Sequence, residues 1–223
     1  MEKKLITIYT FILHFIAGYL NALTIISLGQ MTGVHTGNIS NVFINFFEGD
    51  KATAWSLVAC IMSFFAGNIV VGFLSEFEMT YRTRYWQLTA FHLLSGLFIF
   101  LIINVSLSKQ MIINVISFRL GIQNGLPVPE TNHRKTTTSL TGLMTTVGVG
   151  IGRTLRSRTL FKLARLKKEA LYLTVFVSGT SLAAIMTYHT YFDQRIFFII
   201  LEILAAAFCL SISFTRDGTK IVI

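Results

Sequence analysis

The sequence predicts an all-α, polytopic transmembrane helical bundle, and three observations predict it. Of 223 residues, 53% are hydrophobic and only 13% are charged, where a soluble domain carries about a quarter charged. Several mostly apolar runs of about 19 to 24 residues are each long enough to cross a hydrocarbon core of roughly 30 Å. Polar, glycine-bearing stretches also recur in the same order in the two halves of the chain. The runs are continuously apolar, which excludes the alternation expected of an outer-membrane barrel.

Residues 5–27 form the first span, led by Lys3 and Lys4. The run is too long for the apolar region of a secretory signal, and no small-residue cleavage site follows. The next apolar piece, Ile39 to Phe47, is short. Taken from Gly37, it would reach about 16 Å as a helix, roughly half the core. Residues 53–75 form a full span closed by Glu76, Glu78, Arg82 and Arg84. Residues 88–107 form another, with Tyr85 and Trp86 at its start, where an aromatic belt would place them. The span from Met111 to Leu126 is ended by Pro127 and Pro129, which cannot continue a helix. A polar loop, Glu130 to Ser139, leads to a second short piece from Leu140 to Gly152. A basic loop, Arg153 to Lys168, precedes the spans 170–188 and 196–214.

Two topologies fit: six full spans plus two short broken or re-entrant helices, or eight spans. With six, the basic loops and both termini face the cytoplasm, and the outside carries only Glu48, Asp50, Lys51, Lys109, Asp193 and Arg195. Eight spans would move Arg82, Arg84, Arg134 and Lys135 outside. The positive-inside rule therefore prefers six. The same rule accounts for the net charge of +9 without nucleic acid, since the excess sits beside spans. Cys60 and Cys209 lie within apolar runs, away from any histidine cluster, and read as small buried hydrophobes. No metal or cofactor site is expected.

The whole chain, 1–223, reads as one integral membrane domain holding an internal duplication, repeat 1 over 5–107 and repeat 2 over 110–214. Setting Gly18 against Gly121 also matches Asn21 with Asn124 and Leu23 with Leu126. Thr36-Gly37 then answers Thr141-Gly142, and Gly67 answers Gly179. Three full spans per copy start the second copy on the opposite face, an inverted repeat. Inverted repeats with interrupted helices recur among secondary transporters. A duplication serving packing alone is the other reading.

Gly18-Tyr-Leu-Asn21-Ala, Thr36-Gly37-Asn38, Leu120-Gly-Ile-Gln123-Asn124-Gly125 and Leu140-Thr141-Gly142, in this order and spacing, resemble the YoaK-like family. These are bacterial inner-membrane proteins carrying a domain of unknown function. The resemblance covers nearly the whole chain, from about residue 8 to residue 214, and implies fold and membrane more than activity. The family pattern usually has Asp where this chain has Asn21, and basic residues where it has Pro127 and Pro129. The first departure weakens a proton-coupling role at that position.

Candidate binding residues follow from polarity at depth. Asn38, Asn41 and Asn45 share one face of the first short helix and must face protein or water, because an amide unpaired in lipid costs several kcal/mol. Together with Asn21, Thr36, Gly37, Gln123, Asn124, Thr141 and Gly142, they outline a substrate site between the broken helices. Interhelical hydrogen bonding is the equal alternative for the amides. Arg119 lies deep in its span, with Glu202 as its most obvious partner. The pair reads as a gate or anion contact, or as a structural ion pair fixing helix register. His14 and His92 read as hydrogen-bonded core, and His35, beside Thr36, as a pH-sensitive group. Gly148-x-x-x-Gly152, Ser63-x-x-x-Gly67 and Gly179-x-x-x-Ala183 read as helix-packing faces.

Three function classes remain. The first is a transporter or permease for a small polar or anionic solute. The second is a membrane scaffold or sensor acting through the basic loop 153–168, which would meet anionic headgroups or an acidic partner. The third and weakest is an intramembrane enzyme, for which no metalloprotease, serine-hydrolase or P-loop signature is present.

Overall fold

The computed structural model of the chain describes residues 2–75, 80–104, 107–126, 140–157, 160–189 and 193–215. Among them lie eight helices: α1 (Glu2–Leu28), α2 (His35–Glu48), α3 (Lys51–Ser75), α4 (Tyr81–Asn104), α5 (Lys109–Gly125), α6 (Leu140–Ser157), α7 (Leu160–His189) and α8 (Gln194–Thr215). The expected polar loop 130–139 and the charged ends at 76–79 and 216–223 lie outside the described residues.

Four helices, α1, α3, α7 and α8, are long and apolar enough to cross a membrane. Helix α4, with 24 residues, would reach about 36 Å, but it opens with Arg82 and Arg84. Helix α5 has 17 residues, about 26 Å at the usual rise, and carries Arg119, Gln123 and Asn124. The outer faces are apolar: Phe47 is 84% exposed, and Trp55, Phe73, Leu94 and Phe214 are exposed as well. Aqueous proteins rarely leave so much apolar surface open, and a lipid bilayer is the environment such a surface fits.

The short helices are longer than the sequence suggests. Helix α2 starts at His35 and stops at Gly49, whose φ of 91° is a left-handed conformation that glycine adopts without strain. At 14 residues it still reaches only about 21 Å. Helix α6 runs through Arg153 and Arg156 to Ser157, and α7 already begins at Leu160. The basic segment expected as a loop is therefore mostly the end of one helix and the start of the next, since Lys and Arg are good helix formers. Two aspartates start helices at the polar margins. Asp50 accepts the Thr53 N–H at 3.0 Å before α3. Asp193 accepts the Arg195 backbone N–H at 2.8 Å and its guanidinium at 3.0 Å before α8. Hydrogen bonding from that guanidinium holds the Asp193 carboxyl below the usual carboxylate range.

The helices associate in a few long seams: α1 with α7, α3 with α5, and α4 with α8, while α2 leans on α3 and α6 on α7. Helix α8 also meets α1. Two seams bring backbones into contact through glycine. A Cβ on Gly18 would sit 2.1 Å from the Phe176 carbonyl oxygen, and one on Gly179 would sit 2.2 Å from that of Phe15. In the α3–α5 seam, Gly67 would meet the Phe118 oxygen at 2.2 Å and Gly121 the Phe64 oxygen at 2.1 Å. Where lipid supplies little hydrophobic drive between helices, such close packing is the main source of association. The buried core lies where α1, α5 and α8 converge, from Ile6, Leu13, Ile16 and Leu20 to Ile116, Leu120, Ala205 and Cys209.

Gly67→Ala and Gly121→Ala should each force α3 and α5 apart, at a cost on the order of 1–3 kcal/mol for overpacking. Gly72→Ala, where a Cβ meets nothing within 4 Å, should be neutral. Thermal unfolding in detergent, followed by loss of the monodisperse chromatographic peak, separates the two behaviours. Equal stability of all three variants would mean that the seam is looser than described.

Candidate functional site

Tyr9 and Leu13 stand one turn apart on the buried face of α1, and Arg119 and Gln123 stand one turn apart on α5. His92 comes from α4 and Glu202 from α8, both fully buried. A carboxylate so enclosed costs several kcal/mol unless donors surround it, and here each oxygen has one. Glu202 Oε2 accepts from His92 Nδ1 at 2.5 Å, and Oε1 accepts from Arg119 Nη2. On the other side of its ring, His92 Nε2 lies 2.9 Å from the Tyr9 hydroxyl, which can either donate to it or accept from it. Arg119 Nη1 donates to Gln123 Oε1 at 2.5 Å, and Gln123 Nε2 donates to the Leu13 carbonyl at 2.9 Å. The chain of bonds starts on α1, visits α4, α8 and α5, and returns to α1. One cation and one anion balance within it.

Aromatic rings hold the cation in place. The Arg119 guanidinium carbon lies 5.4 Å from the ring centres of both Phe91 and Phe198, within cation–π range. Its Nε is buried and has no hydrogen-bond partner among the described residues. Beside it, α4 and α5 border an open cavity of about 410 Å³ lined by Leu94, Ser95, Phe98, Val115, Phe118 and Arg119 among others. Apart from Ser95 and Arg119, its lining side chains are apolar.

A second polar cluster ties down the connector between α1 and α2. Asn38 Nδ2 donates to the Met31 carbonyl at 2.7 Å, and Thr24 and Thr32 hydroxyls lie 3.0 Å apart. Ser117 of α5 donates to the Thr32 carbonyl at 3.2 Å, and Cys60 of α3 lies 2.9 Å from Ser117 Oγ. Four helices thus satisfy a loop whose free carbonyls would otherwise be costly in an apolar setting. Gly29, with φ of 68°, makes the turn that starts it.

The sequence-derived candidates separate accordingly. Arg119, Glu202 and Gln123 meet in the core network. Asn124 is buried next to it on α5, and Asn38 is buried against the connector. Asn21, on α1, is half-buried with its Oδ1 enclosed and unpartnered among the described residues. His35 packs its ring 4.4 Å from that of Phe64, with Nδ1 3.4 Å from Asn38 Nδ2 and Nε2 enclosed without a partner among the described residues. Thr36, Gly37 and Asn41 are exposed on α2, and Thr141 and Gly142 are exposed on α6. Asn45 turns back on its own helix, donating to the Asn41 carbonyl at 2.7 Å. The structure thus brings the core residues together and leaves the exposed positions of α2 and α6 on separate seams.

Sequence reasoning passed over Tyr9, and it read His92 as hydrogen-bonded core, as the structure has it, but without its partner. That partner is one of the few acids inside an apolar run, which was the available signal. Arg84 was read among the charged residues that close the span 53–75; it lies buried in the first turn of α4, with Nε and Nη2 unpartnered among the described residues. His14 does pack as core, donating or accepting at the Thr10 carbonyl at 2.8 Å and stacking 4.5 Å from Tyr172.

Arg119→Met, which strands Glu202, should destabilise the protein by about 3–5 kcal/mol. Adding Glu202→Leu should recover much of that loss, because an apolar pair fills the space with no orphaned charge. Detergent-unfolding midpoints of the two single variants and the double variant read the coupling. Additive losses would mean that the two side chains act independently.

Comparison with curated proteins and with solved structures finds no match. The profile of one family, described as a protein of unknown function (DUF1275), matches residues 9–211. The span matched takes in every helix of the core network, and the chain belongs to this DUF1275 family, of which YoaK-like is the known member.

Proposed function

We propose that the chain is a small-solute transporter or permease of the bacterial inner membrane, with six spans, two short helices and both termini in the cytoplasm. In this reading the two halves are inverted repeats, α1–α4 and α5–α8. The correspondence of seams supports it: exchanging the halves turns α1–α7 into α5–α3 and α2–α3 into α6–α7, and maps α4–α8 onto itself. The glycine contacts exchange in the same way, Gly18 and Gly179 for Gly121 and Gly67.

Apart from the slight α7–α8 contact, one seam breaks the exchange, and that observation carries the functional reading. Helices α1 and α8 pack together, with Tyr19 donating to the Gln194 carbonyl at 3.0 Å. Their counterparts, α5 and α4, instead stand apart around the cavity that Arg119 lines. A protein that exposes its centre by rocking one repeat against the other would have one such seam closed and the other open. The Glu202 network, reaching all four helices, is then the gate: it offers neutral, fully matched charge to whichever side is open. Thr36, Gly37, Asn41, Thr141 and Gly142 face outward on the short helices and would line the approaches.

Spin-label pairs in lipid nanodiscs test the alternation, one pair on Leu97 and Val115 across α4–α5 and the other on Ile8 and Ile203 across α1–α8. Each distance distribution should show two populations, and a pH step that enriches the shorter α4–α5 distance should enrich the longer α1–α8 distance. Single, unmoving distributions in both pairs would reject transport by rocking.

A further inference from the structure

We propose that the Glu202 network is a proton-binding site: His92 takes up a proton at Nε2 while the Tyr9 hydroxyl turns from donor to acceptor, and the charge gained biases the gate. This deepens the transport reading and rests on it for the link to helix movement, though not for the uptake of the proton.

The two sides of the His92 ring meet groups of different kinds. Nδ1 donates to Glu202 Oε2 at 2.5 Å, and an ionised carboxylate can only accept. That bond is the same whether the imidazole is neutral or charged. Nε2 lies 2.9 Å from the Tyr9 hydroxyl, a group that both donates and accepts. A neutral imidazole receives the hydrogen of the hydroxyl, whereas an imidazolium gives its own N–H to the hydroxyl oxygen. Both forms keep every hydrogen bond of the ring, and no heavy atom has to move.

In the charged form the Tyr9 hydrogen needs another acceptor. The Cys209 thiol stands beside the Tyr9 hydroxyl and interacts with it, and sulfur is a weak acceptor. The balance is then complete. One N–H bond forms at Nε2 with a proton from water, no bond breaks, and the Tyr9 O–H turns about its C–O bond.

The surroundings direct the proton to His92. Around it stand Tyr9 from α1, Arg119 from α5, Glu202 and Cys209 from α8, and, on α4 itself, Tyr85 near Tyr9. Glu202 is the one anion in this group, and it touches the ring. A proton placed on Glu202 while Nδ1 keeps its own would set donor against donor. With the proton on His92, two cations share one carboxylate, and surplus charge away from water is strongly disfavoured. Admitting water or an anionic solute eases it, so the loaded form favours the arrangement that opens the network. A proton, unlike a solute, needs no standing cavity, because brief local openings bring buried groups into exchange with water. That suits a ring with no exposed surface.

The test uses the full-length protein in nanodiscs, labelled with nitrogen-15 histidine and carbon-13 glutamate and read by solid-state NMR. Dipolar contact with the Glu202 carboxylate identifies His92 without a substitution. Between about pH 8 and pH 5, where imidazole ordinarily changes charge, Nε2 should pass from a bare nitrogen to an N–H while the Glu202 carboxyl carbon stays ionised. Tyr9→Phe removes the acceptor, and an unpaired N–H on a cation costs more than an unpaired neutral nitrogen, so half-conversion should need about tenfold more acid. Cys209→Ala, which removes the place to which the Tyr9 hydrogen turns, should shift it in the same direction. An Nε2 that stays bare throughout, or a proton that appears on Glu202 instead, overturns the site. A half-conversion point unchanged in both variants overturns the turning hydroxyl. Uptake is read without helix movement. A chain whose His92 is loaded while its spin-label distances never alternate loses the transport reading and keeps this one. Distances that alternate with pH while Nε2 stays bare do the reverse.

Discussion

A buried carboxylate with no water to solvate it must be met by donors, and Glu202 obtains both of its donors from other helices. His92 brings α4 to it and Arg119 brings α5. Lipid tails are as apolar as leucine, so apolar surface alone gives helices little reason to choose one neighbour or one register. The Glu202 network gives that reason. Sliding α5 by one turn would remove Arg119 from Glu202 and Gln123 from the Leu13 carbonyl together, stranding charge and amide alike. The glycine seams then allow the remaining helices to close on this centre, α3 against α5 and α7 against α1.

The network also distinguishes the two halves of the chain. With Gly18 set against Gly121, Ile16 falls opposite Arg119 and Leu20 opposite Gln123, and both apolar residues are buried. Helix α1 is thus apolar where α5, in this alignment, is charged or polar. Helix α1 is packed against α8, and α5 borders the cavity. The difference between a closed seam and an open one is therefore written into the side chains.

Much of this was legible in the sequence, and the reasons for the rest are specific. Continuous apolar runs placed the long helices, and Pro127 after the α5 run correctly ended it near Gly125. Gly67 and Gly179 were legible as close-packing positions, since small residues at helix crossings have few other uses in lipid, whereas Gly18 and Gly121 were read only as matching positions and Gly148 and Gly152, read as a packing face, meet nothing within 4 Å. Arg119 and Glu202 were visible because charge inside a span is rare. Their union could not be read, because it depends on which helices neighbour one another. Tyr9 was invisible for the same reason, and His92 was legible only as hydrogen-bonded core, since each is an ordinary residue until its neighbour in the network is known. The lengths of α2 and α6 were underestimated because their ends are polar or basic, and hydropathy marks membrane depth, not helix boundaries. Asn38 illustrates the limit of residue type. An amide facing inward was expected, but only the path of the connector reveals that it holds the Met31 carbonyl.

The central claim is that Glu202 is ionised and shared between His92 and Arg119, and its protonation state can be observed directly. Infrared spectra of protein carrying carbon-13 glutamate, taken as the difference between the wild type and Glu202→Gln at neutral pH, isolate this one side chain. The account requires a carboxylate stretching band and no carbonyl band of a protonated acid. A protonated-acid band in its place would contradict the account, because a neutral Glu202 would leave Arg119 as an unmatched buried cation and the network without its organising charge.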